Sequence, residues 1–169
     1  PVGGGGLIAG TAVALKETRP EVQVIGVQAE AAQSASRSFE TGHITTDVPR
    51  RTVADGIAVG AVGSVTFPII QRYVDDMLTV GEDDIAMAVL LFMERNKFVV
   101  EGAGAVPLAA LIENKERFRG KRVGLVASGG NIDFVLIDRI IYKGLLTSGR
   151  IVVFEVIADD VPGILQALS

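Results

Sequence analysis

A chain of 169 residues with no cysteine, 49% hydrophobic and 21% charged residues encodes a packed globular unit in which disulfides and thiolate chemistry have no part. Its net charge of −4 leaves no basic footprint for nucleic acid. The longest apolar run, residues 85–93, is too short to cross a bilayer, and with no visible signal peptide a cytoplasmic protein without membrane or nucleic-acid partners is expected.

Four consecutive glycines, Gly3-Gly4-Gly5-Gly6, lead into residues 7–18, a helix rich in Ala that stops before Pro20. Backbone without a Cβ takes positive φ and lets a ligand come close. The N–H groups of such a turn, added to those of the first helical turn, make an anion site. Residues 22–30 (VQVIGVQAE) read as a strand buried on both faces. Loop, strand and helix of this kind predict a doubly wound α/β fold. Residues 33–40 form a short predicted helix, and residues 41–63 a long structured loop of the kind that carries function. Residues 64–75 are helical with Pro68 near the first turn, where proline is tolerated.

Residues 77–80 make a short strand. Gly81-Glu82-Asp83-Asp84 then opens a helix to residue 96, its acids complementing the helix dipole. Residues 101–114 are a further helix whose small residues, Gly102 to Ala105, permit close approach. Residues 122–127 (RVGLVA) read as a second buried strand ending at Ser128-Gly129-Gly130-Asn131, and residues 132–146 as a helix. Residues 145–150 look like a linker. Residues 150–158 alternate as a strand, residues 159–163 are turn chemistry, and residues 164–169 begin a helix. The chain divides into residues 1–146 and residues 147–169.

The glycine loop has two ligand readings. Gly4-x-Gly6-x-x-Ala9 matches the dinucleotide fingerprint, with Glu30 at the end of the next strand where a ribose-binding acid belongs. That predicts a nicotinamide-dependent oxidoreductase. The second reading adds Ser128-Gly129-Gly130-Asn131, at the carboxyl end of another buried strand, where ligands of open α/β sheets bind. Phosphate on the first loop and a ring reaching Ser128 describe a phosphorylated aromatic cofactor, and pyridoxal phosphate fits.

With both glycine motifs in place, the chain resembles the fold-type II pyridoxal-phosphate enzymes, within them the threonine dehydratases (threonine ammonia-lyases), with serine racemases as near kin. The residues that carry the resemblance are Gly3 to Gly10, Val27-Gln28-Ala29-Glu30, Thr52 to Val59, Val100 to Ala105 and Ser128 to Asn131, spread over residues 1–146. The resemblance implies part of an open twisted parallel sheet. It implies that Gly3, Gly4, Gly5, Gly6 and Leu7 hold the cofactor phosphate, that Ser128 donates to the pyridine nitrogen, and that Asp55, Gly56 and Glu101 lie near the ring. A neutral hydroxyl donor leaves that nitrogen unprotonated, which favours loss of a β-hydroxyl over transamination. Glu30 matches an acid that often ligates a cation, with Ser34 and Ser36 where stronger oxygen ligands can stand, so one cation at modest affinity is implied. Plainer readings exist: Ser128 as a helix cap, Glu101 as an ordinary acid opening a helix, and His43, the only histidine, as an exposed loop residue.

The family's Schiff-base lysine precedes the glycine loop in its members. Lys16, Lys97, Lys115, Lys121 and Lys143 all read as surface residues, so no catalytic residue is assigned and this segment alone is expected not to turn over substrate. The resemblance implies β-elimination from threonine or serine, giving 2-oxobutanoate or pyruvate and ammonia, in a homo-oligomer. Residues 152–156 and 159–165 resemble the start of an α+β ACT regulatory domain, which implies an amino-acid effector; an edge strand of the main domain is the alternative. A non-catalytic amino-acid-sensing fragment is the third class of function considered, beside the lyase or racemase and the oxidoreductase.

Overall fold

The structure, a computed structural model, describes residues 1–155 and residue 157. Its elements are α1 (Gly6–Thr18), β1 (Ile25–Ala29), α2 (Ser34–Thr41), α3 (Thr66–Tyr73), β2 (Asp76–Val80), α4 (Glu82–Leu91), α5 (Gly102–Glu113), α6 (Lys115–Phe118) and α7 (Phe134–Thr147). β1 and β2 pair in parallel, from Ile25 opposite Asp76 to Ala29 opposite Val80, and this is the only ladder among the described residues. The α/β class read from the sequence therefore stands.

Side chains alternate across the strands and serve two cores. Val27, Ala29, Leu78 and Val80 face the core built with α4, α5 and α7. Met77 faces the other core, with Ile8, Ala9 and Ala12 of α1 and Phe67 and Ile70 of α3. Gln28, also fully buried, is the polar exception in β1.

The long loop between α2 and α3 is ordered by buried hydroxyls. Ser34 Oγ donates to the Val59 carbonyl at 3.0 Å, Ser38 Oγ to the Ser34 carbonyl at 2.6 Å, and Thr45 N–H to Ser38 Oγ at 2.9 Å. The Ser34 hydroxyl hydrogen is thus committed to the loop. Farther along, Val53 N–H donates to Glu82 Oε2 at 2.8 Å, ahead of a 3-10 turn at Asp55–Ile57.

Several expectations change. Residues 122–127 form no strand. Residues 122–126 line a cavity of about 580 Å³ together with Ile25, Val27 and Leu78. Their apolar pattern suits a strand, but a strand exists only by pairing, and these residues join no ladder among the described residues. The helix after Gly81 is α-helical only to Leu91; it widens into a π turn, Phe92–Asn96, closed by Lys97 at φ 61°. The predicted strand at residues 150–158 is not formed by residues 151–155 or 157, where Val152, Val153 and Phe154 are exposed and pair with no strand among the described residues. The rest of that strand, the turn and helix after it, and most of the ACT-like resemblance lie outside the described residues. Among the described residues no helix is long and apolar enough to cross a membrane.

Candidate functional site

The glycine loop is built by one left-handed residue and three braces. Gly5, the residue before α1, has φ 91° and ψ −1°. A Cβ there would stand 2.7 Å from Ile70 Cδ1 and 2.8 Å from Thr66 Oγ1, so only glycine fits. Val2 N–H donates to the Val27 carbonyl at 2.9 Å. The buried Gln28 amide donates to the Val2 carbonyl at 3.0 Å and accepts from Ser36 N–H at 2.8 Å. The Gly4 carbonyl accepts from Gly63 N–H at 3.0 Å and from the Thr66 hydroxyl at 2.6 Å.

No side chain caps α1, and the N–H groups of Gly3, Gly4, Gly5, Gly6 and Leu7 find no acceptor among the described residues. Around Gly4 and Gly6 the space is open, with no atom within 4 Å of where a Cβ would stand. Free N–H groups, the positive end of a helix and open space together form an anion cradle.

The facing wall comes from distant sequence. Glu101 precedes α5, but its side chain makes no bond to the helix it opens. Its carboxylate accepts from Asn131 N–H at 3.1 Å, and Glu101 N–H donates to the Gly129 carbonyl at 3.3 Å. Gly129, at φ 83°, leaves room for that carboxylate, which would overlap a Cβ there. Glu101 Oε1 also lies 3.5 Å from where a Cβ on Gly56 would stand. The carboxylate thus stands beside Gly56 while hydrogen-bonded to the loop at residues 128–131.

The two walls enclose a pocket of about 250 Å³ lined by Gly3, Gly4, Gly5, Gly6, Leu7, Gly56 and Ile57, with Pro1, Glu101, Ala103 and Ser128. The structure therefore brings Gly3, Gly4, Gly5, Gly6, Leu7, Gly56, Glu101 and Ser128 together around one pocket, while Asp55, also expected near the ring, does not line it. Ser128 Oγ has no hydrogen-bond partner among the described residues, and the helix-capping alternative for it fails. Asp133 caps α7, its Oδ1 accepting from Val135 N–H at 2.6 Å and Leu136 N–H at 3.4 Å.

Glu30 does not line this pocket. It sits just past β1, its N–H on the Val80 carbonyl at 3.0 Å and its own carbonyl accepting from Arg50 at 3.2 Å. Burial and then the charges of Asp84 and Glu30 raise the pKa of nearby Glu113. Yet among the described residues no group of three or more His, Asp or Glu side chains is placed to hold a metal. The expected cation site at Glu30 thus lacks a convergent set of carboxylates. The dinucleotide reading loses its acid for the same reason of place.

No lysine reaches the pocket. Lys16 pairs with Asp75, Lys143 with Asp83, and Lys97 donates to the Glu94 carbonyl. His43 is exposed, its Nδ1 3.1 Å from the Thr41 carbonyl. Two residues that shape the site were given no role from sequence. Gln28 had a signal, a polar side chain inside an apolar run. Thr66 had none, because its bond to Gly4 spans 62 residues.

Comparison with known proteins follows the same residues. Residues 1–129 match the family described as pyridoxal-phosphate dependent enzyme. The chain is 51% identical over 168 residues to an L-threonine ammonia-lyase of Thermotoga maritima, covering 99% of this chain and 42% of that protein. Its fold resembles the crystal structure of a T.th. threonine deaminase with a TM-score of 0.75 and 47% identity, over 79% of this chain and 49% of the other. It also resembles a serine racemase from Dictyostelium discoideum with a TM-score of 0.72 and 40% identity, over 79% of this chain and 43% of the other. The chain spans less than half the length of each of these relatives.

Proposed function

The chain belongs to the pyridoxal-phosphate dependent enzymes, and from that premise we propose that it is the cofactor-holding part of a threonine ammonia-lyase, which converts threonine or serine to a 2-oxo acid and ammonia. One observation carries the reading: a cradle of free N–H groups at residues 3–7 and the unpartnered Ser128 hydroxyl open into a single pocket. A phosphorylated ring needs both, one at each end.

Bound there, pyridoxal phosphate supplies an electron-withdrawing ring that stabilises negative charge at the Cα of an amino acid, so that the β-hydroxyl can leave. The chain's own residues do the holding. Gly3, Gly4, Gly5, Gly6 and Leu7 donate N–H groups to the phosphate at the positive end of α1. Ser128 donates its hydroxyl hydrogen to the pyridine nitrogen, and a neutral donor keeps that nitrogen unprotonated. Gly56 and Ile57 form the wall beside the ring, and Glu101 fixes the loop that aims Ser128. No lysine lines the pocket to take the Cα proton, so the chain alone binds cofactor without turning over amino acid. A homo-oligomer, an amino-acid effector at residues 147–169 and a cytoplasmic setting belong to the same reading.

Titration of the chain with pyridoxal phosphate tests it. The expected result is saturable binding with a change in cofactor absorbance, competed by inorganic phosphate and not by NADH. Binding of NADH in its place, or of neither ligand, defeats the reading. A racemase uses the same pocket, a reading favoured by the 40% identity to the Dictyostelium protein. Product analysis of the whole enzyme on L-serine separates the two, with pyruvate from the lyase and D-serine from the racemase.

A further inference from the structure

The Gly4–Gly5 peptide is gripped from outside the pocket. Thr66, the first residue of α3, donates its hydroxyl hydrogen to the Gly4 carbonyl at 2.6 Å, and Gly63 N–H donates to the same oxygen at 3.0 Å. In a planar trans peptide the carbonyl and the following N–H point in opposite directions. Fixing the Gly4 carbonyl on α3 therefore turns the Gly5 N–H away from α3. Gly4 and Gly5 both line the pocket, and Thr66 does not.

Without that grip the peptide has little to hold it. Glycine on both sides opens more orientations to the peptide plane than any other residue pair would, and without Thr66 only Gly63 N–H remains on its carbonyl. A flipped plane presents a carbonyl oxygen where an anion needs a hydrogen, and the charge preference of the cradle falls. The Gly5 N–H has no acceptor among the described residues, so it is available to a ligand.

We infer that Thr66 is a positioning residue for phosphate recognition: from α3, without touching the ligand, it holds the Gly4–Gly5 peptide with its N–H toward the pocket. This rests on the proposed function, which seats a phosphate on residues 3–7.

The test compares wild type with Thr66→Val, which keeps the shape and removes the hydroxyl, and Thr66→Ser, which keeps the hydroxyl. Binding of inorganic phosphate, pyridoxal phosphate and phosphate-free pyridoxal is measured on the full chain, with the phosphorus NMR shift of the bound phosphate. Thr66→Val is expected to weaken both phosphate-bearing ligands about tenfold, as loss of one charge-assisted hydrogen bond would. It should move the phosphorus shift and leave pyridoxal unchanged, and Thr66→Ser should restore wild-type values. Equal weakening of all three ligands, or no change in phosphate affinity, overturns the inference. Should Thr66→Val not fold, the Gly5 amide resonance of the wild-type chain decides: it must move on adding inorganic phosphate, and a Gly5 amide that stays put while its neighbours shift overturns the inference. A wild-type chain that binds no phosphate at all instead defeats the proposed function.

Discussion

The two walls of the pocket are made in opposite ways. The glycine-loop wall is braced from beneath by Gln28, from the side by Thr66 and Gly63, and by the core between α1 and α3. The Ser128 wall has one main tie, the Glu101 carboxylate, and the segment leading into it, residues 122–127, pairs with no strand. The glycine loop is thus a pre-set part of the fold, whereas the Ser128 loop hangs on one residue, Glu101, through its carboxylate and its backbone N–H. A charge cradle loses most by misaligned dipoles, so fixed backbone suits it. A hydroxyl donor has a rotatable hydrogen and tolerates a looser mount.

The contrast can be broken from its stronger side first. Gln28→Leu leaves the Val2 carbonyl and the Ser36 N–H unpaired in the interior. The expected loss is about 1–3 kcal/mol for each group, read as a lower urea midpoint, together with loss of phosphate binding. Next comes Gly5→Ala, which places a Cβ against Ile70 and Thr66 at a positive φ. It should destabilise the fold by about 1–3 kcal/mol and abolish inorganic phosphate binding in calorimetry.

Glu101→Ala sharpens the comparison from the other side. It should leave inorganic phosphate affinity unchanged and weaken pyridoxal phosphate about tenfold, since only the larger ligand reaches the second wall. Equal loss for both ligands would mean that the walls are not independent.

The smallest effect concerns the foot of the first wall, where Asp75 ties α1 to the start of β1. Burial raises its pKa, but hydrogen bonds from Lys16 and Val24 N–H and the charge of Lys16 outweigh burial and hold it below the ordinary 3.8. A depressed carboxylate stabilises the fold above its unfolded pKa and loses that contribution as pH falls through the folded value. Stability should therefore decline below about pH 4, by less than about 1 kcal/mol for so exposed a pair. Asp75→Asn should remove this part of the decline in acid unfolding curves.

Much of this was legible in the sequence, for reasons that differ by residue. Glycine and proline mark α1, because glycine widens and proline narrows its own backbone range whatever surrounds it. β1 shows in its run of apolar residues, since burial on both faces leaves a continuous signature. Residues 122–127 carry the same signature, but a pattern states what a segment would bury and not which partner is near. Glu82 reads as a helix-dipole acid; in the fold one of its oxygens holds Val53 N–H, and the other is buried without a partner among the described residues. Ser34 and Ser36 stand in the sequence where stronger cation ligands can occur; in the fold the Ser34 hydroxyl orders the loop and Ser36 N–H holds Gln28. Such bonds join residues far apart in the chain, and no local period encodes them.

The distance along the chain between the two walls has a thermodynamic consequence. A molecule that touches both the glycine loop and Ser128 clasps the beginning of the chain to residue 128, as a reversible cross-link would. It binds only when nearly everything between them is folded, so its affinity is added to the stability of the whole. At a hundredfold excess over its dissociation constant, such a ligand raises the unfolding free energy by about 2.7 kcal/mol. The cofactor would then be a staple as well as a reagent, and the melting temperature of the protein a gauge of how much of it is bound.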